Sequence, residues 1–314
     1  MDEGARFHYP VFGKATMGGR MTPDWIAVDW GTSQLRTFAM GPHGVLGERG
    51  SDRGMGKLTR EGFEPALLEL IADWLGDGVM QVVICGMAGA RQGWIEAAYR
   101  AVPCTPVAKG AFIAAPTTDA RLRVQILPGL SQAKPADVMR GEETQIAGVL
   151  ALNPGFDGVV CLPGTHSKWA HISAGEVVSF QTFMTGELFA LLSGQSVLRH
   201  GMGGDGWDDA AFGQGLSDAL SRPERFAAQL FALRAEGLLA ALPPQAAKSR
   251  LSGLLIGAEL AAARPYWLGQ AVVLVGAKAL SAAYATALVA QGVTPVQWDD
   301  KACTLAGLAA ARAI

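Results

Sequence analysis

Trp25-Ile26-Ala27-Val28-Asp29-Trp30-Gly31-Thr32-Ser33 has the plan that decides the fold, and Val159-Val160-Cys161-Leu162-Pro163-Gly164-Thr165-His166-Ser167 repeats it. Each is a short apolar run, the mark of a strand buried on both faces, that breaks into a turn of small residues. After the first turn, residues 34–40 read as extended, Gly41-Pro42-His43-Gly44 as a second turn, and Val45-Leu46 as the start of a third strand. After the second, residues 168–172 are extended, Ser173-Ala174-Gly175-Glu176 turns, and residues 177–183 form a third strand. Gly31-Thr32 stands 133 residues before Gly164-Thr165, and the second turns follow at nearly the same offset. Two three-stranded meanders of equal proportions point to an internal duplication.

Outward from each meander, the pattern alternates between helix and strand. Behind the first come an apolar-periodic helix over 61–75, a strand over 79–85, a helix near 95–100 and a strand over 124–127. Behind the second come helices near 187–198, 225–242 and 251–263, and the buried strand Val272-Val273-Leu274-Val275. A helix over 279–291, a strand over 294–298 and a terminal helix over 301–313 complete the chain. The pattern is βββαβα given twice, an α/β fold of two mixed sheets with helices on both faces. The cleft between the halves is the default ligand site. The expected division is a tail over 1–23, one domain over 24–140 and a second over 141–314. The second includes a connecting helix over 141–152 and a terminal helix over 301–314. Residues 201–222, rich in Gly and Asp, read as a mobile insertion.

Composition closes off several classes. Of 314 residues, half are hydrophobic and 17% charged, which excludes a disordered chain. The net charge of −2 offers no basic excess for nucleic acid. The first 23 residues lack a signal-peptide core. The longest uncharged run, residues 279–298, is broken by Gly292 and Pro295, so no membrane span is expected and the chain reads as cytoplasmic. Cys85, Cys104, Cys161 and Cys303 form no CxxC pair and read as small buried hydrophobes. The five scattered histidines argue against a histidine-held metal.

A turn of small residues after a buried strand presents backbone N–H groups and hydroxyls to an anion. Gly31, Thr32 and Ser33 make one such turn, and Gly164, Thr165, His166 and Ser167 the other. Two such turns suit a polyphosphate. Asp29, closing the first strand, is placed to hold Mg²⁺ through water, and Lys168 to offset phosphate charge. There is no Walker loop and no dinucleotide fingerprint.

Paired strand–hairpin phosphate loops resemble the actin and hexokinase superfamily, whose domains are ribonuclease H-like. The resemblance implies two duplicated actin-like domains that hold ATP. Its third, adenosine-side motif is matched by Val272-Val273-Leu274-Val275-Gly276-Ala277, with Gly276 and Ala277 at the turn. A carboxylate that orients the attacking hydroxyl is expected near a helix leading into the second hairpin. Glu143, Glu142 and Asp137 all qualify, Glu143 first, and the choice among them stays open.

Five strings narrow the resemblance: Gly86-Met87-Ala88-Gly89-Ala90-Arg91-Gln92-Gly93-Trp94, Leu127-Pro128-Gly129-Leu130, Asp137-Val138-Met139-Arg140-Gly141-Glu142-Glu143-Thr144-Gln145, Leu162-Pro163-Gly164-Thr165-His166-Ser167-Lys168-Trp169, and Phe180-Gln181-Thr182-Phe183-Met184-Thr185-Gly186-Glu187-Leu188-Phe189. With Asp29-Trp30-Gly31-Thr32 they resemble the 2-dehydro-3-deoxygalactonokinase family from about residue 25 to the C-terminus. That resemblance implies phosphorylation of a sugar acid at its 6-hydroxyl by Mg·ATP, in galactonate breakdown. A carboxylate substrate needs cationic or amide donors, for which Arg91, Gln92 and Arg140 stand in the distinctive strings, with Gly93 and Trp94 beside them. The partners are then a small sugar acid and ATP, with no nucleic acid or membrane; oligomeric state stays open. Two other readings are an exopolyphosphatase-type phosphatase of the same superfamily and a non-catalytic sugar-acid sensor.

Overall fold

The structure is a computed structural model and describes residues 22–313. The tail expected over 1–23 therefore lies outside the described residues except for Thr22 and Pro23. Chain contacts define two compact units. One joins the residues up to 155 to those from 301 onward, and the other is residues 156–300.

The first unit begins with the meander β1 (Trp25–Trp30), β2 (Leu35–Gly41) and β3 (Gly44–Ser51). Helix α1 (Phe63–Ile71) leads to β4 (Met80–Gly86). Short strands β5 (Arg100–Ala101) and β6 (Ile113–Ala114) precede β7 (Leu122–Ile126), β8 (Leu130–Ala133) and β9 (Ala136–Met139). Helix α2 (Glu142–Leu152) follows. The main sheet has the order β3-β2-β1-β4-β7-β6, and β5-β8-β9 form a small second sheet. β1 is antiparallel to β2 and parallel to β4, and β4 is parallel to β7.

The second unit repeats the meander with β10 (Gly158–Leu162), β11 (Ser167–Ser173) and β12 (Glu176–Phe183). Helices α3 (Thr185–Gly194), α4 (Asp209–Ser221), α5 (Phe226–Leu239), α6 (Pro244–Ala262) and α7 (Arg264–Trp267) come next. Then follow β13 (Val272–Val275), α8 (Lys278–Val289) and β14 (Val296–Trp298). Its sheet order is β12-β11-β10-β13-β14, with β10 antiparallel to β11 and parallel to β13. Both sheets thus place the meander beside two parallel strands in the same order. This is the ribonuclease H-like arrangement of the duplicated fold.

Helix α9 (Asp300–Ala313) ends the described chain and packs with the first unit. Alternate residues of β1 feed opposite faces of the sheet, as strand geometry requires. Ile26, Val28 and Trp30 meet Phe63, Leu67 and Ile71 of α1, while Trp25 and Ala27 share a cluster with Leu308 and Ala311 of α9. Helices α2 and α9 cross closely. A side chain at Gly148 would overlap the Cys303 carbonyl, and one at Gly307 the Thr144 carbonyl. By chain contacts, α2 and α9 group with the first sheet, and the two compact units divide at 155 and 300.

Two expected elements differ. Residues 95–99 form no helix, because their N–H groups turn to other partners. Ile95 and Ala97 donate to Ala88 and Gly89 carbonyls, and Arg100 to Gly129. The supposed mobile insertion at 201–222 contains α4, capped by the Asp208 carboxylate on the Ala211 N–H and laid tightly on α6. Gly215, Gly253 and Gly257 are packing surface there, since a Cβ on Gly253 would overlap the Phe212 carbonyl.

Candidate active site

In the first unit the site is built where β1 and β4 end side by side, with Asp29 opposite Cys85 and Trp30 opposite Gly86. Gly86 (φ 88°) and Gly141 (φ 107°) both occupy backbone that favours glycine. A Cβ on Gly86 would stand 2.6 Å from the Trp30 carbonyl, and one on Gly141 3.4 Å from the Gly86 Cα. These two glycines bring the start of α2 against the strand ends.

Three acids result. Asp29 Oδ2 accepts from Arg36 Nε at 3.1 Å and Nη2 at 2.5 Å, across the β1–β2 pair. Its Oδ1 has the Cys85 thiol at 3.9 Å. Glu143 is fully buried, accepting from the Gly141 N–H at 2.7 Å and from the Thr144 hydroxyl at 3.0 Å. Burial, reinforced by the neighbouring Glu142, pushes its carboxyl up to about 7. The same burial raises the Cys85 thiol, with the charges of Asp29 and Glu143 adding to it. Glu142 is half-buried and accepts the Arg140 N–H at 3.0 Å. Asp137 lies on β9, with its carboxylate turned to the Val138 N–H.

The loop after β4 carries the residues expected to meet the sugar acid. A Cβ on Gly93 would overlap the Ala88 and Met87 carbonyls, so the chain folds back tightly there. Arg91 and Gln92 are left exposed at its tip. Trp94 is buried in the core, with its ring centroid 6.1 Å from Trp30 and 6.0 Å from Phe63. Arg140 stacks over Tyr99 at 4.3 Å and donates from Nη2 to the Ala97 carbonyl at 2.8 Å. Its Nε and Nη1 are buried without a hydrogen-bond partner among the described residues.

The first hairpin leaves Thr32 and Ser33 exposed, while the segment at Gly54 to Gly56 braces it through Met55 and Gly56 N–H bonds to the Gly31 and Thr32 carbonyls. In the second unit, Thr165 and His166 are the exposed residues of the other hairpin. Gly186 lets the start of α3 press on the Gly164 carbonyl, and His166 Nε2 lies 2.5 Å from Glu187 Oε2. Ser167 is buried, with its hydroxyl 2.9 Å from that of Tyr284. Lys168 is also buried, and its amine donates to the His166 carbonyl at 3.1 Å. A Cβ on Gly276 would stand 3.0 Å from the Pro163 carbonyl, so the Gly276-Ala277 turn adjoins the residue before this hairpin and leads into α8.

Sequence reasoning missed Arg36, Glu259 and Tyr284. Arg36 had a signal: equal strand lengths about the turn put it opposite Asp29. Glu259 had one too, as the single acid of the apolar stretch 251–262. Its carboxylate is buried and accepts from Trp169, Thr185 and Tyr284.

No group of three or more His, Cys, Asp or Glu residues among the described residues forms a metal cage. Mg²⁺ does not need one, since it keeps several waters and substrate phosphates and takes one or two carboxylates. Asp29 fits that role through Oδ1, the oxygen not taken by Arg36. All four cysteines are free, three of them buried. Among the described residues, no helix is long and apolar enough to cross a membrane.

The 2-keto-3-deoxy-galactonokinase family model matches residues 29–311. A Rhizobium meliloti (strain 1021) protein named a probable 2-dehydro-3-deoxygalactonokinase is 41% identical over 92% of this chain and 97% of its own. The Escherichia coli (strain K12) 2-dehydro-3-deoxygalactonokinase is 37% identical over 89% and 94%. A crystal structure from Sinorhizobium meliloti, assigned to the same activity, superposes with a TM-score of 0.86 at 41% identity, covering 92% of this chain and 98% of that one.

Proposed function

Because the chain belongs to the 2-keto-3-deoxy-galactonokinase family, we propose that it transfers the γ-phosphoryl group of ATP to the 6-hydroxyl of 2-dehydro-3-deoxy-D-galactonate, in the cytoplasm. The observation that carries the reading is the match of nearly the whole chain to relatives of that name.

Phosphoryl transfer asks a protein mainly for positioning and charge stabilisation. The exposed Thr32–Ser33 and Thr165–His166 turns supply donors for the phosphates, and the Gly276-Ala277 turn the nucleoside side. The start of α8 beside that turn adds a helix N-terminus suited to an anion. Asp29 would hold Mg²⁺, which supplies charge neutralisation for the phosphates when bound. Arg36 fixes the orientation of that carboxylate. Arg91 and Gln92 offer donors to the substrate carboxylate, whereas Arg140 shapes the loop through Ala97 and Tyr99.

The hydroxyl that attacks phosphorus must surrender its proton to a group it can touch. Glu143 is sealed from solvent, so Glu142 is the better general base and Glu143 the buried carboxyl that sets its position and field. As the new P–O bond forms, the hydroxyl proton passes to Glu142 and ADP leaves with the bridging oxygen. Phosphorus NMR of the product tests the regiochemistry. Coupling of the new phosphate to the C6 protons is expected, and coupling to another carbon's proton would overturn that assignment.

A further inference from the structure

Glu259 lies well inside the second unit, on α6, and none of the groups placed above in contact with substrate includes it. A buried carboxylate is costly unless donors converge on it. Here they come from three different elements. Trp169 Nε1 donates from β11 at 2.7 Å, the Tyr284 hydroxyl from α8 at 2.7 Å, and the Thr185 hydroxyl from the first residue of α3. Each element borders part of the nucleotide site. β11 begins at the end of the second hairpin, α8 follows the Gly276-Ala277 turn, and α3 presses on Gly164 through Gly186. Tyr284 extends the chain of bonds by one step, its hydroxyl lying 2.9 Å from that of Ser167 in the hairpin itself.

The geometry points to Glu259 as a positioning residue that keys the second phosphate hairpin to α3 and α8, with Tyr284 as its relay to Ser167. This rests on the reading of that hairpin as an ATP site. Packing alone would not need the arrangement: four apolar residues of matching shape would fill the same core, with no buried charge to satisfy. What the carboxylate adds is direction. Its two oxygens set where three donors point, and so fix the hairpin relative to the helices on either side.

The test is steady-state kinetics of Tyr284→Phe and Glu259→Gln, with ADP affinity measured by calorimetry and melting temperature recorded for each. Tyr284→Phe keeps the ring and deletes the relay. It is expected to raise KM for ATP and Kd for ADP about tenfold, the scale of a lost hydrogen bond to a charged group, while KM for the sugar acid stays at the wild-type value. Glu259→Gln, which offers one acceptor where three donors converge, is expected to do the same more strongly. A folded Tyr284→Phe protein with wild-type KM for ATP overturns the inference. So does failure of that variant to fold, which would make the network a support of the fold. Wild-type protein that binds no ADP would instead overturn the nucleotide reading on which this one rests.

Discussion

Replacing Glu143 by Gln tests the claim that its carboxyl is held in a buried, destabilised state. The amide preserves the shape. Its oxygen can accept the Gly141 N–H, and its NH2 can donate to the Thr144 hydroxyl in place of the bond now made at 3.0 Å. In the folded protein burial raises the carboxyl from 4.5 to about 7, so it binds its proton more tightly folded than unfolded. Its contribution to stability is therefore complete below about pH 4.5 and is lost as pH climbs through about 7. That interval corresponds to about 3 kcal/mol. The amide does not titrate, so the stability of the Glu143→Gln variant relative to wild type should move in its favour by about 3 kcal/mol between pH 4.5 and 8. Urea unfolding of both proteins across that range, monitored by tryptophan fluorescence, measures the difference directly. A difference that stays flat with pH would refute the reasoning, because it would mean that the carboxyl titrates alike folded and unfolded.

Asp29→Asn should keep the fold and lower kcat on the order of a hundredfold at saturating Mg·ATP, through lost placement of charge at the phosphates; unchanged turnover would remove Asp29 from the metal role. Glu142→Gln should lower kcat by about a hundredfold or more with little change in either KM, and a variant with near-normal kcat would return the base to Glu143 or Asp137. Trp94→Ala should lower stability by about 3–5 kcal/mol, as a large core truncation does, with KM for the sugar acid little affected in the folded fraction. A rise in that KM without loss of stability would make Trp94 a pocket wall after all. Gly148→Ala should cost about 1–3 kcal/mol by overpacking the α2–α9 crossing, and an unchanged melting temperature would contradict that close approach.

The duplicated architecture was legible because each meander has its own turn chemistry and its own apolar run. Strand periodicity and hairpin symmetry are local, so Trp25–Trp30 and Gly158–Leu162 could be found without knowing what packs on them. What failed was set by distant partners. Residues 95–99 have a helix-compatible composition, yet their N–H groups serve the Ala88 and Gly89 carbonyls. The glycines of α4 suggest looseness in sequence and provide close contact with α6 in space. The grouping of α2 and α9 with the first sheet was hidden for the same reason, since it rests on the crossing at Gly148 and Gly307 and on the packing of Leu308 and Ala311 against Trp25 and Ala27.

In the candidate site, the two hairpin turns were legible as turns, and Glu142 and Glu143 as the start of a helix. The surroundings of the two acids were not, because Glu142 and Glu143 are adjacent in sequence while one is sealed and the other half-open. Trp94 shows the converse. It stands in a distinctive string, but its ring belongs to the Trp30–Phe63 core.

The most direct test of the central claim is ADP release from Mg·ATP, followed in parallel with 2-dehydro-3-deoxygalactonate, with its gluconate epimer and with no acceptor. Release that requires the sugar acid, fastest with the galactonate compound, is the result predicted here. Equal release in all three reactions would contradict it and make the protein a phosphatase.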